Sequence, residues 1–353
     1  MRRGAVVYDP DGINPYGREV ALAIAQSRPV TLLLACDATW VPTACRTLPV
    51  LPGNRGGHRL GQGLRLLRGL GLVSWRCLFR REALVAVWTR SWVDNLLFLL
   101  LARLGNTVVV VVHNPISRVR LPPLKAWSTR RLWQGASAIT VHGERLAAQT
   151  AQIAPDQSVL ICDHPPFRHW WPWASAQLAP ATEVAQPLRL LVLGQMRADK
   201  GLGDLHEAVR LLPPETRFQL ELVLCGRRSE QHPLPDFGSL VTVDDRTSTD
   251  FVDDLEIAAA VRDSHLLLAP LVLATASSTV VLGLTAGLGV LAYDGGEVDR
   301  ILDQAGLVPT GDVTELAARI SHWADGGPAG GPRHPMEEWW ATCAAQWDQV
   351  LRD

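Results

Sequence analysis

The chain alternates from one end almost to the other between short apolar runs and longer stretches with helical spacing. Runs such as Leu84–Val87, Val108–Val112 and Leu190–Leu193 hold no polar residue. A strand of that kind must be covered on both faces, which a parallel sheet flanked by helices achieves. The alternation leaves few other architectures: repeated βαβ units and an α/β fold. Strands are expected near Gly4–Tyr8, Val30–Ala35, Leu84–Trp88, Thr107–Val112, Ala138–Val141 and Val159–Cys162. In the second half they are expected near Leu188–Leu193, Gln219–Cys225, Leu240–Val243, His265–Ala269 and Val290–Ala292.

At 353 residues the chain has room for two ordinary domains. The Pro-, Ala- and Trp-rich stretch from His164 to Pro187 reads as the link between them, and the glycines and prolines after Gly326 break the pattern before a last helix near Met336–Leu351. The expected division is 1–180, 181–335 and a C-terminal helix over 336–353 that packs back on the first domain. Six cysteines without Cys-x-x-Cys or zinc spacing read as free thiols of a reducing compartment. The run behind Met1-Arg2-Arg3 is too short for a signal peptide, and no run approaches the ~20 residues of a spanning helix. A cytoplasmic protein is expected, at most peripheral to a membrane. A formal net charge of −1 gives no reason to expect nucleic acid.

Lysine is used only twice, at Lys125 and Lys200, while arginine supplies nearly every other cation. Lys200 lies in Gly194-Gln195-Met196-Arg197-Ala198-Asp199-Lys200-Gly201, between the apolar run Leu188–Leu193 and the helical spacing of Leu202–Leu212. It therefore falls in a strand-to-helix turn, where open α/β sheets bind ligands. Arg197 and Lys200 beside helix amides suit a diphosphate, against the plainer reading of a solvated basic turn. Ser277, Ser278 and Thr279 precede an apolar helix; they suit a helix cap, and the same amides would accept phosphate. Asp9-Pro10-Asp11 reads as a turn rather than a metal motif, with Gly12 allowing close backbone approach. Arg65, Arg68, Arg76, Arg80 and Arg81 interleave with Leu66, Leu67, Leu72, Trp75, Leu78 and Phe79. That pattern fits a helix packed on the sheet with snorkelling arginines, or one docked on an anionic bilayer. Trp170, Trp171 and Trp173 either stack on sugar or anchor the link.

Several pieces, in order, resemble the GT-B glycosyltransferases of the family-4 type. In the second half these are Gly-Gln-x-Arg-x-x-Lys-Gly, Leu224-Cys225-Gly226-Arg227, His265–Pro270 followed by the Ser-Ser-Thr helix start, and Thr285–Ala292. In the first half they are Asn14-Pro15-Tyr16, the strand-end His113-Asn114-Pro115, and Asp163-His164-Pro165-Pro166 through Trp171-Pro172. The resemblance implies two doubly wound Rossmann-like domains facing a cleft, with the acceptor on the first and a nucleotide sugar on the second. It implies Arg197, Lys200 and Ser277–Thr279 on the donor diphosphate, Gly194, Gly226 and Arg246 near the nucleoside, and Gly12, Asn14 and Tyr16 in a donor or acceptor loop. His113 would lie by the reacting sugar as a hydrogen-bonding group or base.

The chain departs from that family at its paired glutamates, whose positions hold Ala274 and Leu282. The implied activity is transfer of a sugar from a nucleotide diphosphate, UDP in preference to GDP, to a glycan, glycolipid or small natural product. Neither metal nor cofactor is called for. A cofactor-free nucleotide-sugar epimerase, a catalytically silent partner subunit and an inverting GT-B enzyme stay as alternatives.

Overall fold

The computed structural model describes residues 2–53, 59–116, 121–178, 187–228, 232–272 and 277–352. The chain divides into two units, Met1–Pro165 with Glu337–Asp353, and Pro166–Met336.

The first unit is built on strands β1 (Ala5–Asp9), β2 (Val30–Ala35), β3 (Arg46–Leu51), β4 (Ala83–Ala86), β5 (Val108–Val111), β6 (Ala138–Val141) and β7 (Val159–Ile161). All pair in parallel, in the order β3-β2-β1-β4-β5-β6-β7. Helices α1 (Tyr16–Ala25), α2 (Arg59–Arg80), α3 (Trp92–Arg103), α4 (Pro123–Gly135) and α5 (Glu144–Ile153) form the crossovers. One face of the sheet, through Val6, Tyr8, Leu33, Leu84, Val108 and Val110, packs on Leu70, Val73 and Cys77 of α2, Phe98 and Leu101 of α3 and Leu132 of α4. β1, β2, β4 and β5 are buried along their whole length, as their mainly apolar sequence requires, with Asp9 and Thr31 the polar residues among them.

The second unit repeats the plan. Helix α6 (Trp170–Ala176) is followed by β8 (Leu188–Leu193), α7 (Leu202–Leu211), α8 (Pro214–Phe218), β9 (Leu220–Arg227), β10 (Thr242–Ser248), α9 (Asp254–Arg262) and β11 (Leu266–Ala269). Next come α10 (Ser278–Ala286), β12 (Gly289–Tyr293), β13 (Leu307–Val308) and α11 (Val313–Ala324). The parallel order is β10-β9-β8-β11-β12-β13. In each sheet the strand order reverses beside the first strand, between β1 and β4 and between β8 and β11. Such a reversal opens a crevice at the carboxyl ends of the strands.

The last helix, α12 (Met336–Val350), belongs to the first unit except for its first residue. Its Gln346 accepts from the Asp163 amide at 2.8 Å and donates to the Asp163 carboxylate at 3.0 Å. The Trp339 indole donates to the His164 carbonyl at 3.0 Å. Arg28 donates to the Leu351 carbonyl at 2.8 Å and pairs with Asp348, which Arg2 and Arg352 also engage. Those cations hold the Asp348 carboxyl down, at about 2.

Two strands have no counterpart among the runs read from the sequence. β3 carries Pro49, lies at the sheet edge and is mostly exposed or half-buried. Proline is tolerated on an edge because its missing N–H leaves no ladder bond open there. β13 is two residues long. β10 was read from the apolar Leu240–Val243 but runs two residues later, through polar Asp244–Ser248, again on an edge.

Candidate functional site

In the second unit the loop after β8 folds across the ends of its neighbours. The Gly194 amide donates to Cys225 O at 2.9 Å and the Met196 amide to Arg227 O at 2.7 Å, so the loop tracks the end of β9. Gly194 and Gly226 have φ of +112° and +138°, and a Cβ on Gly226 would lie 2.0 Å from the Gly194 carbonyl. Only glycine allows that approach. Ala198–Lys200 makes one 3₁₀ turn, and Gly201, at φ +65°, starts α7. A Cβ on Gly201 would meet the Pro270 carbonyl at 1.9 Å, and Val272 N donates to Asp199 O at 3.2 Å. The turn is thus pinned against the exits of β9 and β11.

This packing brings Lys200 and Thr279 to one place. Where a Cβ on Gly194 would stand, Lys200 Nζ lies 3.3 Å away and Thr279 Oγ1 3.6 Å away. The space over Gly194 is bounded by an ammonium, a hydroxyl and the start of α10. Ser277 caps α10, its hydroxyl accepting from Val280 N at 3.4 Å. Helix geometry leaves the amides of the first turn without intrahelical acceptors, and the helix dipole puts partial positive charge there. Ser278 and Thr279, half-buried, are the first two residues of that turn. Gly194, Lys200, Ser277, Ser278 and Thr279 therefore form one group, at the switch point of the sheet.

Arg197 and Arg246 are committed elsewhere. The Arg197 guanidinium makes two 2.9 Å bonds to the Asp199 carboxylate and a third, also 2.9 Å, to Gln195 Oε1. Arg246 bonds Asp244 at 2.8 Å and Asp263 at 3.4 Å, while Arg189 engages Asp244 and Glu221. The two arginines pull the Asp244 carboxyl below its usual range, against the effect of burial. Leu282 is buried within α10, so that position presents no carboxylate; Ala274 lies outside the described residues. Asp253 caps α9 by accepting from Leu255 N at 2.9 Å.

The first unit gathers a different set of side chains. His113 follows β5, His142 follows β6, His164 follows β7 and Tyr16 opens α1. The Tyr16 ring lies edge-on to all three imidazoles, with centroids at 4.8, 5.1 and 4.7 Å. Trp88, just after β4, stacks on His113 at 3.7 Å. Tyr16, His142 and His164 are buried, and His113 is half-buried.

Each imidazole bonds a main-chain carbonyl: His113 Nε2 to Val87 O at 3.2 Å, His142 Nδ1 to Cys162 O at 2.8 Å, and His164 Nδ1 to Pro165 O at 2.8 Å. A carbonyl only accepts, so the bonded nitrogen carries the proton and the other keeps its lone pair. In His113 the lone pair is on Nδ1. Burial lowers the pKa of all three imidazoles: His113 falls well below the ordinary value, His142 to about 4 and His164 to about 3. The rings are neutral at pH 7. His142 Nε2 and the Tyr16 hydroxyl find no partner among the described atoms.

The remaining loop residues build the entry to α1. Asn14 Oδ1 accepts from Tyr16 N at 3.0 Å, and Asp11 Oδ1 accepts from Ile13 N at 2.9 Å. Asp9 Oδ1 accepts from Asp11 N at 3.1 Å. Burial raises the Asp9 carboxyl well above its usual range. Gly12 abuts the end of β2, where a Cβ would meet Asp37 Oδ1 at 2.6 Å. Trp170 is buried against Phe167, its partner in an edge-on contact.

Sequence reasoning passed over His142 and Trp88. Both lie within two residues of the end of a buried strand, as His113 does, and that shared position was the available signal.

Residues 187–325 match the family model described as glycosyl transferases group 1. Among curated protein sequences, none matches the chain. Solved structures match over nearly its whole length. Sucrose-phosphate synthase from Thermosynechococcus elongatus is 15% identical, with a TM-score of 0.63 over 99% of this chain and 94% of that one. HepE from Anabaena, in complex with UDP, is 15% identical, with a TM-score of 0.60 over the same shares of each chain. The catalytic domain of starch synthase IV from Arabidopsis thaliana, bound to ADP and acarbose, is 10% identical, with a TM-score of 0.61 over 98% of each chain. Residues 187–325 of the second unit thus match a group 1 glycosyl transferase domain, and the chain as a whole has the GT-B fold of these solved structures.

Proposed function

We propose that the protein transfers a sugar from a nucleotide-diphosphate donor, a UDP-sugar in preference to a GDP-sugar, to a glycan, glycolipid or small natural product. The observation that carries this reading is the meeting of Lys200 and Thr279 over Gly194, at the switch point and beside the start of α10. At ~4 Å and an effective dielectric near 20, a cation–phosphate charge pair is worth about 4 kcal/mol before desolvation. The first turn of a helix contributes roughly 0.3–1 kcal/mol more. The ammonium, the Ser278 and Thr279 hydroxyls and the helix amides would together hold the diphosphate as it leaves, so no metal is required for that task. The UDP held by HepE, a protein of the same fold, supports the choice of base.

The role of Arg197 is more qualified. Its guanidinium reaches a diphosphate only in exchange for Asp199. Gly226, near the end of β9, lets that strand close on the Gly194 backbone beneath the nucleoside; Arg246 would have to leave two carboxylates to reach the nucleoside. On the first unit His113, with its lone pair on Nδ1, is the group proposed to meet the reacting sugar, and Gly12, Asn14 and Tyr16 shape the loop beside it.

Calorimetry with UDP, GDP, ADP and dTDP tests the reading. UDP is expected to bind, and Lys200→Ala to weaken it at least about tenfold at unchanged melting temperature, the loss of ~1.4 kcal/mol or more. Turnover is expected to persist in excess chelator. Unchanged UDP affinity in Lys200→Ala would remove the assignment. Interconversion of nucleotide sugars without an acceptor would indicate the epimerase, and binding without turnover the silent subunit.

A further inference from the structure

We propose that the outward face of α2 docks the first unit on an anionic lipid bilayer. This helix has two apolar faces. Leu70, Val73 and Cys77 are buried in the core. Leu60, Leu64, Leu67, Trp75 and Phe79 point the other way, with Leu64 62%, Leu67 66% and Phe79 76% exposed. At about 100° per residue these five fall within an arc of roughly 120°, so they form one stripe. A helix face turned to water is ordinarily polar. The apolar exposure continues over the helices that share this side of the sheet, at Trp92 and Leu100 of α3, Leu104 just after it, and Leu124 and Trp127 of α4.

The charge around the stripe names its occupant. From Ala38 to Arg81 the sequence holds eight arginines and no Asp or Glu. Arg76 is used up by Glu82, with bonds of 2.6 and 2.9 Å. Arg65, Arg68, Arg80 and Arg81 are exposed beside the stripe. The Arg80 guanidinium lies over Trp75, 4.9 Å from the ring centroid, an apolar body with a charged tip. Arg81 has a φ of +55°, and no other non-glycine among the described residues has a positive φ. Glycine would fit this helix end without strain, yet a cation stands there.

A second copy of the chain fits poorly. An isologous contact through this face would set arginines against arginines with no acid in the stretch to offset them. Nucleic acid would meet the arginines but not the Leu, Trp and Phe side chains. The boundary of an anionic bilayer matches both, with headgroup phosphates for the arginines and acyl chains for the stripe.

The test is co-sedimentation of the full chain with vesicles of phosphatidylcholine alone, and of phosphatidylcholine mixed with phosphatidylglycerol in roughly equal parts. Binding is expected to the mixed vesicles only, and to weaken as salt rises. Leu67→Glu and Phe79→Glu should each lower partitioning by about tenfold or more, and Arg68→Gln by about fivefold, without moving the melting temperature. Arg81→Gly should raise the melting temperature and still weaken vesicle binding, which a purely structural role for Arg81 would not do. Failure of the wild-type chain to bind the mixed vesicles would overturn the proposal. So would equal binding to neutral vesicles, or a concentration-dependent dimer dissolved by Leu67→Glu in a chain that ignores lipid.

Discussion

Lys125 and Lys200 share a residue type and little else. Lys125 donates to the Arg90 carbonyl at 2.8 Å and fastens α4 to the loop after β4. Lys200 stands over Gly194 beside Thr279. Scarcity in the sequence pointed to both alike; the strand-end position of Lys200 separated them before the structure did. Arg197 and Arg246 each have a carboxylate partner two residues away, a pairing that a one-dimensional reading treats as background. The histidines carry a pH dependence with a definite sign. Their folded pKa values lie below the unfolded value near 6.5, with His142 at about 4 and His164 at about 3. The unfolded chain therefore binds more protons between those limits. Their contribution is complete above about pH 6.5 and is lost as pH falls, by ~1.4 kcal/mol per unit for each ring. Urea unfolding should show about 2 kcal/mol lost per histidine between pH 7.5 and pH 5, and His164→Asn should flatten that slope. An unchanged slope in the variant would contradict the burial argument.

At the scale of elements, strands buried on both faces were legible because their continuous apolar sequence has no other use. Edge strands were not. β3 with Pro49 and β10 with its Asp, Arg, Thr and Ser face water on one side, so hydrophobicity there marks neither presence nor bounds. The segment around Lys200 was legible as a turn, but its convergence with Thr279 was not, since Gly194 and Thr279 are far apart in sequence and meet only through the order of β8 and β11. α2 offers a direct test of packing. A Cβ on Gly71 would enter open space, whereas one on Gly69 would meet Leu51 Cδ2 at 2.3 Å, and Leu51 is fully buried. Gly71→Ala should stabilise the protein by about 0.8–1 kcal/mol, the helix-propensity difference. Gly69→Ala should forfeit that gain or destabilise, because Leu51 has to move. Equal melting temperatures for the two variants would show that α2 does not press on β3 as described.

For the molecule as a whole, the sequence suggested two α/β halves, while the strand orders and the reversals that place both clusters came only from the structure. The return of α12 to the first unit has the widest reach. Its Gln346 and Trp339 hold Asp163 and His164, at the exit of β7 and inside the histidine group. Removal of residues 337–353 should loosen the first unit and spare the second, as amide hydrogen exchange would register: protection lost around β6 and β7, kept around β8 and β9. Uniform loss across both would mean that the units do not behave separately. Translation gives this return a temporal meaning. A ribosome completes Pro166–Met336 before it has made the segment that closes Met1–Pro165. The portion synthesised first is therefore the last to be finished, and during that interval the histidine edge waits uncovered while the second sheet already has every residue it needs to fold.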